Sequence, residues 1–312
     1  SADEKIKLSV NVPGTVYSSM LENKMIEDPF YRLNQYDALK ISDNDFIFAY
    51  DFIPDESMLK NDRIFLRFDG IDTIAEVYLN DTAIGSSDNM HRTYKFDVTD
   101  CIRRGTNSLR VYIHSPIKYI KDKNDERDLW GVASTMKGYP HIRKAHYMYG
   151  WDWGPILPDV GIWRDVGLVG EKYGCIKDIR IKQEHKQSSV KLYIDTEIEN
   201  LTGDDLRMEC VVTDPDGVNT IIKTDQPKQH NSAVCVILNP KLWHVRGFGK
   251  QYLYEVKVKL LHKGEVIDKK ELKIGLRTIE VSRQKDNIGE EFCFKVNGTK
   301  IFAMGANYIP ED

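Results

Sequence analysis

Short segments in which apolar and polar residues alternate run through most of the chain. In the clearest of them, mostly charged residues separate Val190, Leu192, Ile194, Thr196 and Ile198. Successive side chains of a β-strand point to opposite faces of the sheet, so this spacing predicts a strand with one buried and one solvated face. The same alternation occurs at Phe46, Phe48, Tyr50 and Phe52, and at Leu109, Val111 and Ile113. The pattern predicts a chain built mainly of antiparallel sheet.

Turn-forming residues separate the predicted strands. Asp214-Pro215-Asp216-Gly217 predicts a tight turn, and Lys263-Gly264 and Asn297-Gly298 each predict a hairpin. Helical patterns are few and cover residues 16–25 and 117–129. Many short strands joined by turns are typical of β-sandwiches rather than of an α/β sheet.

Two changes along the sequence predict domain boundaries. Aromatic-rich segments and four of the five tryptophans precede residues 170–174, and shorter, more regular strands follow. A polar stretch at residues 283–291 marks a second boundary. We therefore predict a jelly-roll-like sandwich at residues 1–172, an immunoglobulin-like sandwich at 173–282 and a third region at 283–312.

Composition and charge exclude several functional classes. The 312 residues carry a net charge of −4, and basic residues are interleaved with acidic ones, so nothing indicates a nucleic-acid partner. No apolar run approaches the ~20 residues that a membrane span requires, and no segment resembles a signal peptide. These features favour a cytoplasmic protein. A periplasmic or lysosomal location stays open if a signal peptide has been removed.

The cysteines and histidines predict no metal site. Five cysteines are spread along the chain: Cys101, Cys175, Cys210, Cys235 and Cys293. They match neither a zinc-binding nor a redox pattern, and we interpret them as free thiols of a reducing compartment. His141 and His146 are five residues apart, which is not the spacing that places two side chains on one helical face.

The chemically richest part of the chain lies between Trp130 and Trp163. It contains Gly150-Trp151-Asp152-Trp153-Gly154-Pro155, whose glycines and proline predict a loop. Tryptophan rings pack against the apolar faces of pyranose sugars, and a carboxylate can accept hydrogen bonds from two neighbouring hydroxyls. In an extended segment Asp152 would point away from both adjacent tryptophans. The same aromatic residues could instead fill the end of a sandwich, so composition alone leaves sugar binding and a structural role open.

Several motifs resemble those of the β-mannosidases in family 2 of the glycoside hydrolases. The most specific begins at Arg143-Lys144-Ala145-His146-Tyr147, passes through the tryptophan loop and ends at Gly161-Ile162-Trp163. It is similar to β-mannosidases rather than to β-galactosidases or β-glucuronidases. Further matching motifs are Val12-Pro13-Gly14-Thr15-Val16, Phe68-Asp69-Gly70-Ile71-Asp72, Gly275-Leu276-Arg277-Thr278-Ile279 and Gly305-Ala306-Asn307-Tyr308-Ile309-Pro310. The resemblance extends from about residue 10 to the C-terminus.

The resemblance implies a fold and an activity. The fold is an all-β arrangement of a jelly-roll-like, galactose-binding-type sandwich and an immunoglobulin-like sandwich, followed by the start of a (β/α)8 barrel. The activity is the hydrolysis of terminal, non-reducing β-D-mannose residues with retention and without a cofactor. In such an enzyme Asp152 would hydrogen-bond the mannose, and Trp151 and Trp153 would shape the pocket wall. Asn307 would contribute from the first barrel strand.

The resemblance also implies that the catalytic carboxylates lie elsewhere. Family members use two glutamates about 5–5.5 Å apart on the barrel, and we expect both beyond Asp312. Glu290 and Glu291 are adjacent, so on a strand they would face opposite ways and could not flank one bond. We therefore expect this chain by itself to be inactive, with a β-mannoside as the substrate of the intact enzyme. The alternative is a carbohydrate-binding module that acts alone, and the sequence indicates no oligomeric state.

Overall fold

The computed structural model describes residues 7–151 and 154–308. The chain divides into two compact units, the first ending at Gly170 and the second beginning at Glu171. Both are built mainly of antiparallel strands, so the predicted all-β fold class is confirmed. No helix in the two described stretches is long and apolar enough to cross a membrane.

The first unit contains fourteen regular elements within its described residues. In chain order they are β1 (Gly14–Thr15), α1 (Val16–Glu22), α2 (Gln35–Ile41), β2 (Phe46–Phe52), β3 (Arg63–Phe68), β4 (Ala75–Leu79), β5 (Thr82–Ser87), β6 (Tyr94–Asp97), β7 (Asn107–Ile113), α3 (Pro116–Glu126), β8 (Tyr149–Trp151), β9 (Gly154–Ile156), β10 (Gly161–Ile162) and β11 (Val166–Glu171). Short 3-10 turns occur at Met58–Lys60, Tyr139–His141 and His146–Met148.

The core of the first unit lies between two sheets, ordered β2-β7-β4-β5 and β11-β3-β6. Leu109, Val111 and Ile113 of β7 are buried in it, which confirms the alternation predicted for that strand. On β2, Phe48 is buried but Tyr50 is 67% exposed. The predicted buried face of β2 is therefore confirmed at Phe48 and wrong at Tyr50, because alternation places both residues on one face but does not decide which of them the core covers.

Capping side chains stabilise the first turns of two helices in the first unit, α1 and α3. Thr15 and Ser18 form a reciprocal capping box at the start of α1, and the Ser115 hydroxyl accepts a hydrogen bond from the Lys118 amide at the start of α3. Both helices were predicted, and both are shorter than predicted. Helix α2 was not predicted, and Ala38 is its one buried residue, so it carries little apolar periodicity.

The second unit forms ten strands within the described residues. They are β12 (Gly174–Lys186), β13 (Ser189–Asn200), β14 (Leu206–Thr213), β15 (Asn219–Asp225), β16 (His230–Leu238), β17 (Tyr254–His262), β18 (Glu265–Ile274), β19 (Ile279–Ser282), β20 (Cys293–Val296) and β21 (Thr299–Ile301). Sheets β12-β13-β16 and β15-β14-β17-β18 enclose one core. All five alternate residues predicted for β13 are buried there, which confirms that prediction.

Turns in the second unit occur where the sequence predicts them. Lys263 and Gly264 join β17 to β18 with φ angles of 50° and 88°, and Asn297 and Gly298 join β20 to β21 with 51° and 78°. Two consecutive residues with positive φ match the right-handed twist of a hairpin, and asparagine and glycine adopt this conformation most readily. Both predicted hairpins are confirmed.

The last described residues differ from their prediction. The resemblance implied that Asn307 lies on a first barrel strand, but β21 ends at Ile301 and residues 302–308 form no strand and pair with none among the described residues. Strand β19 precedes the predicted boundary at residue 283, and it pairs with β20 beyond it. The three domain limits stay a prediction.

Candidate functional site

The predicted sugar-binding residues lie on and around a short hairpin of the first unit. Strands β8 and β9 pair with Trp151 opposite Gly154, and the Trp151 side chain is 40% exposed. Asp152 and Trp153, the two residues between them in sequence, lie outside the described residues. The structure thus presents one of the predicted aromatic residues at a solvent-accessible end of the hairpin.

The hairpin is held to the rest of the unit by backbone hydrogen bonds. The Leu157 amide donates to the Met148 carbonyl at 2.9 Å, and the Met136 amide donates to the Tyr149 carbonyl at 2.9 Å. Gly150 has a φ of +89°, and a Cβ there would lie 2.6 Å from the Ile156 side chain. Only glycine adopts this conformation without strain and leaves room for the facing strand.

Tyr149 anchors the start of the hairpin in a small apolar cluster. Its ring is fully buried with Ile120 and Ile142. Its hydroxyl has no hydrogen-bond partner among the described residues. Burial, followed by the nearby Asp72 carboxylate, raises the pKa of Tyr149, so this hydroxyl stays protonated.

A buried ion pair lies at the base of the hairpin. The Lys144 ammonium contacts the Asp72 carboxylate, and the two side chains are 0% and 2% exposed. The same ammonium donates a hydrogen bond to the backbone carbonyl of Asp159. The backbones of Asp72 and Gly161 bond each other in both directions, at 2.8 and 3.1 Å.

The carboxyl group of Asp159 is also buried beside this pair. It accepts hydrogen bonds from the Tyr17 amide at 3.0 Å and the Val160 amide at 2.7 Å. Burial raises the pKa of Asp159 to about 6, although these bonds, the Thr15 hydroxyl and the Lys144 charge act in the opposite direction. No role for Lys144, Asp72 or Asp159 was predicted from the sequence, because polar residues at these positions carry no periodicity that signals burial.

The first unit also has an open groove of about 460 Å³. It is lined by Arg67, Asp69, Thr93, Trp163, Arg164 and Asp165. Arg67 and Asp69 form an ion pair at 2.7 Å, and the Arg164 guanidinium lies over the Trp163 ring, 4.0 Å from its centroid. Arg67, Asp69 and Arg164 therefore already have partners within the groove, although hydroxyl-rich ligands commonly bind to such mixtures of carboxylate, guanidinium and indole.

The remaining predicted site residue, Asn307, belongs to the second unit. It is exposed and lies in the stretch that follows β21. The described residues therefore include Trp151 in the first unit and Asn307 in the second.

The adjacent glutamates Glu290 and Glu291 have different partners. Glu290 pairs with Arg283 at 2.6 Å, and Glu291 pairs with Lys300 and accepts a hydrogen bond from the Ser282 hydroxyl. Their different partners agree with the argument that they do not act on one bond.

Two glutamates and a cysteine of the second unit lie close enough together to hold a metal ion. Potential ligand atoms of Glu171, Cys175 and Glu199 lie within 4.8 Å of one another. The Lys177 ammonium, however, is 2.7 Å from Glu199 and 3.5 Å from Glu171. Burial lowers the pKa of Lys177, but the Glu199 bond and the neighbouring groups outweigh it, so the net shift is upward and a positive charge already stands beside both carboxylates.

The two histidines considered as metal ligands bond to backbone atoms instead. His141 Nε2 is 2.9 Å from the Arg127 carbonyl oxygen, and His146 Nε2 is 3.2 Å from the Ile142 carbonyl oxygen. All five cysteines are free, and burial raises the pKa of Cys175 and Cys210 to about 11, so both stay neutral thiols.

Comparison with known proteins places these features in context. A family model described as "Glycosyl hydrolase 2 galactose-binding domain-like" matches residues 1–164, and one described as "Glycosyl hydrolases family 2" matches residues 175–277. β-Mannosidase B of Aspergillus clavatus is 29% identical over 96% of this chain and 36% of its own length. β-Mannosidase of Bos taurus is 29% identical over 100% and 37%. The chain thus spans little more than a third of the length of these relatives.

Solved structures agree in fold. The crystal structure of the β-D-mannosidase from Dictyoglomus thermophilum matches 98% of this chain and 38% of its own, with a TM-score of 0.92 and 34% identity. The exo-chitosanase CsxA of Amycolatopsis orientalis covers 97% of this chain with a TM-score of 0.71 and 19% identity. At that identity the second likeness shows the fold alone, so the fold by itself does not select a substrate.

Proposed function

The chain belongs to glycosyl hydrolase family 2, and we propose that it is the non-catalytic, sugar-facing part of a retaining β-mannosidase. The intact enzyme hydrolyses terminal, non-reducing β-D-mannose residues. Its relatives named β-mannosidase match this chain along nearly its whole length, which supports the substrate class. The two catalytic glutamates belong to a barrel that the intact enzyme adds to this chain.

Trp151 is the observation that carries this proposal. Its indole is 40% exposed at the end of a hairpin whose base is buried. An exposed tryptophan on a well-held hairpin offers a flat apolar surface at low entropic cost, which suits the C–H face of a pyranose. Trp151 thereby forms part of the wall of the mannose pocket.

Asp152, Trp153 and Asn307 complete the proposed set. Asp152 follows Trp151 directly, and its carboxylate hydrogen-bonds mannose hydroxyls more strongly as the transition state forms. Trp153 adds to the pocket wall, and Asn307 contributes an amide from the start of the barrel. Polar groups that bond substrate hydroxyls discriminate strongly among sugars, because a wrong hydroxyl leaves them unpaired.

Asp152→Asn in the intact enzyme tests the role of this residue. A hydrogen bond to a charged group is worth about 1.5–3 kcal/mol, so kcat/KM for an aryl β-mannoside should fall roughly ten- to a few-hundred-fold. The matched control is Asp128→Asn, an exposed aspartate of the same unit that pairs with exposed Lys137. The control should leave kcat/KM within about twofold. Normal kinetics in Asp152→Asn would contradict the proposal and indicate that the tryptophan loop has a structural role.

A carbohydrate-binding module that acts alone is the second candidate function. The groove beside Trp163 favours it, because this groove combines indole, guanidinium and carboxylate groups in one open surface. Titration of the 312-residue chain with methyl β-mannoside, followed by calorimetry, distinguishes the two functions. Binding that is lost in Arg67→Met but kept in Asp152→Asn would support the module. Absence of binding agrees with a pocket that needs the barrel.

A further inference from the structure

A buried side chain connects the two ends of the segment from Lys144 to Asp159. The Lys144 ammonium donates to the carbonyl oxygen of Asp159, fifteen residues later in sequence. Hairpin β8–β9 and Trp151 lie between these two ends. Lys144 therefore joins the beginning and the end of the segment that presents the proposed sugar-binding residues.

Asp72 connects these two ends to the sandwich. Its carboxylate contacts the Lys144 ammonium, and its backbone exchanges two hydrogen bonds with Gly161, just after the segment ends. Asp72 lies between β3 and β4, and strand β4 belongs to the large sheet of the first unit. Both ends of the segment are thus held to one residue beside the sheet.

The burial of these charges points to a role beyond stability. The Lys144 and Asp72 side chains are 0% and 2% exposed, so both have lost nearly all contact with water. An apolar pair of similar volume often stabilises a fold as well as a buried ion pair does, because desolvation offsets much of the attraction. Unlike an apolar side chain, the Lys144 ammonium fixes the positions of specific groups, because its N–H groups bond two acceptors from different parts of the chain.

We propose that Lys144 is a positioning residue, whose buried ammonium, paired with Asp72, sets the direction of hairpin β8–β9 and thereby the position of Trp151 at the end of β8. This inference rests on the proposed function for its kinetic consequence, but not for its structural one. A misplacement of about 1 Å at a reacting substrate can cost about a hundredfold in rate. Loss of Lys144 should therefore act on sugar turnover although Lys144 touches no sugar.

Two variants separate positioning from stability. Lys144→Met removes the ammonium and leaves Asp72 buried without it, which we expect to destabilise the unit strongly. The double variant Asp72→Leu/Lys144→Met replaces the pair by apolar side chains, which should keep the unit folded. Lys123→Met is the matched control, because Lys123 forms an exposed ion pair with Glu126 on α3 of the same unit.

Hydrogen exchange on the 312-residue chain measures the structural effect. In the double variant we expect the Leu157 amide, which bonds the Met148 carbonyl, to exchange at least tenfold faster. Amides of β4 and β7 should keep their rates, and so should every amide of Lys123→Met. Unchanged exchange at Leu157 in a folded double variant would overturn the proposal, as would equal acceleration throughout the first unit.

Kinetics of the intact enzyme provide the second readout. We expect the double variant to lower kcat/KM for an aryl β-mannoside at least tenfold, with the unfolding midpoint nearly unchanged. Faster exchange at Leu157 with normal kcat/KM would support the positioning role and count against the proposed function of the hairpin. Normal exchange with lowered kcat/KM would count against positioning by Lys144.

Discussion

At the scale of single residues, Asp159 makes the stability of the first unit depend on pH. Its pKa of about 6 lies above the ordinary aspartate value of 3.8, because burial disfavours the charged form. Between pH 3.8 and about pH 6, the folded state therefore keeps a proton on Asp159 that the unfolded state has released. This contribution to stability is fully present below pH 4, and it is lost as the pH rises through about 6. The difference corresponds to about 3 kcal/mol.

Asp159→Asn should remove this dependence. Four of the five tryptophans belong to the first unit, so in a Trp243→Phe background tryptophan fluorescence reports urea unfolding of that unit alone. Between pH 4 and pH 7 the unfolding free energy of the parent should fall by about 2–3 kcal/mol more than that of Asp159→Asn. Lys144, Asp72 and Tyr17 face the same site in both proteins, so their effects cancel. Parallel pH profiles would contradict the assignment.

At the scale of elements, the two-residue pairing of β1 with β10 depends on a close approach of backbones. Gly161 pairs with Thr15, and a Cβ on Gly161 would lie 2.7 Å from the Thr15 Cα and closer still to the Gly14 carbonyl oxygen. Backbone atoms cannot move aside as a flexible side chain can. The Gly161 amide also donates a hydrogen bond to the Asp72 carbonyl, and the Gly161 carbonyl accepts one from the Asp72 amide.

Gly161→Ala should therefore destabilise the first unit by about 2 kcal/mol or more, measured by urea unfolding in the Trp243→Phe background. Gly167→Ala is the matched control, because Gly167 lies on neighbouring β11 and a Cβ there would meet nothing within 4 Å. The control should change the unfolding free energy by less than about 0.5 kcal/mol. Equal effects of the two substitutions would show that the pairing of β1 with β10 contributes little.

At the scale of the whole molecule, the two sandwiches contain a carboxylate cluster, at Glu171 and Glu199, that can be compared with the catalytic pair of a glycoside hydrolase. Retaining enzymes need one free nucleophile and one acid about 5–5.5 Å apart beside an open site. Glu171 and Glu199 come within this distance, but Glu171 is buried and Lys177 bonds Glu199 at 2.7 Å. Both carboxylates therefore contact the Lys177 ammonium, which does not suit a free nucleophile and a separate acid.

The purified chain should therefore show no hydrolysis of an aryl β-mannoside above background, because positioned acid–base catalysis typically contributes 10²–10⁴-fold and is missing here. Glu199→Gln serves as the control and should give the same background rate. Turnover that follows the chain through repeated chromatography and is lost in Glu199→Gln would contradict this account. It would assign catalysis to the second unit.

Local sequence determined much of the fold. The hairpins at Lys263-Gly264 and Asn297-Gly298 follow from residues that tolerate positive φ, and these are properties of two neighbouring residues. The burial of alternate residues in β13 follows from the period of the strand. The chemical character of residues 150–155 was also visible in the sequence, because glycine, proline and aromatic residues are informative without knowledge of their partners. The loop predicted there is replaced by strands β8 and β9 at Trp151 and Gly154, and Asp152 and Trp153 lie outside the described residues.

Tertiary structure alone decided which polar residues are buried and where strands end. Lys144 and Asp72 are 72 residues apart, and no periodicity links an ammonium to a carboxylate at that separation. Tyr50 continues the alternation of β2 and yet is exposed, whereas Phe48 on the same face of that strand is buried. Burial is set by the elements that pack around a residue, and these come from distant parts of the chain. The sequence therefore determined the elements and the chemistry of the hairpin, whereas the buried charges that hold it depend on the folded arrangement.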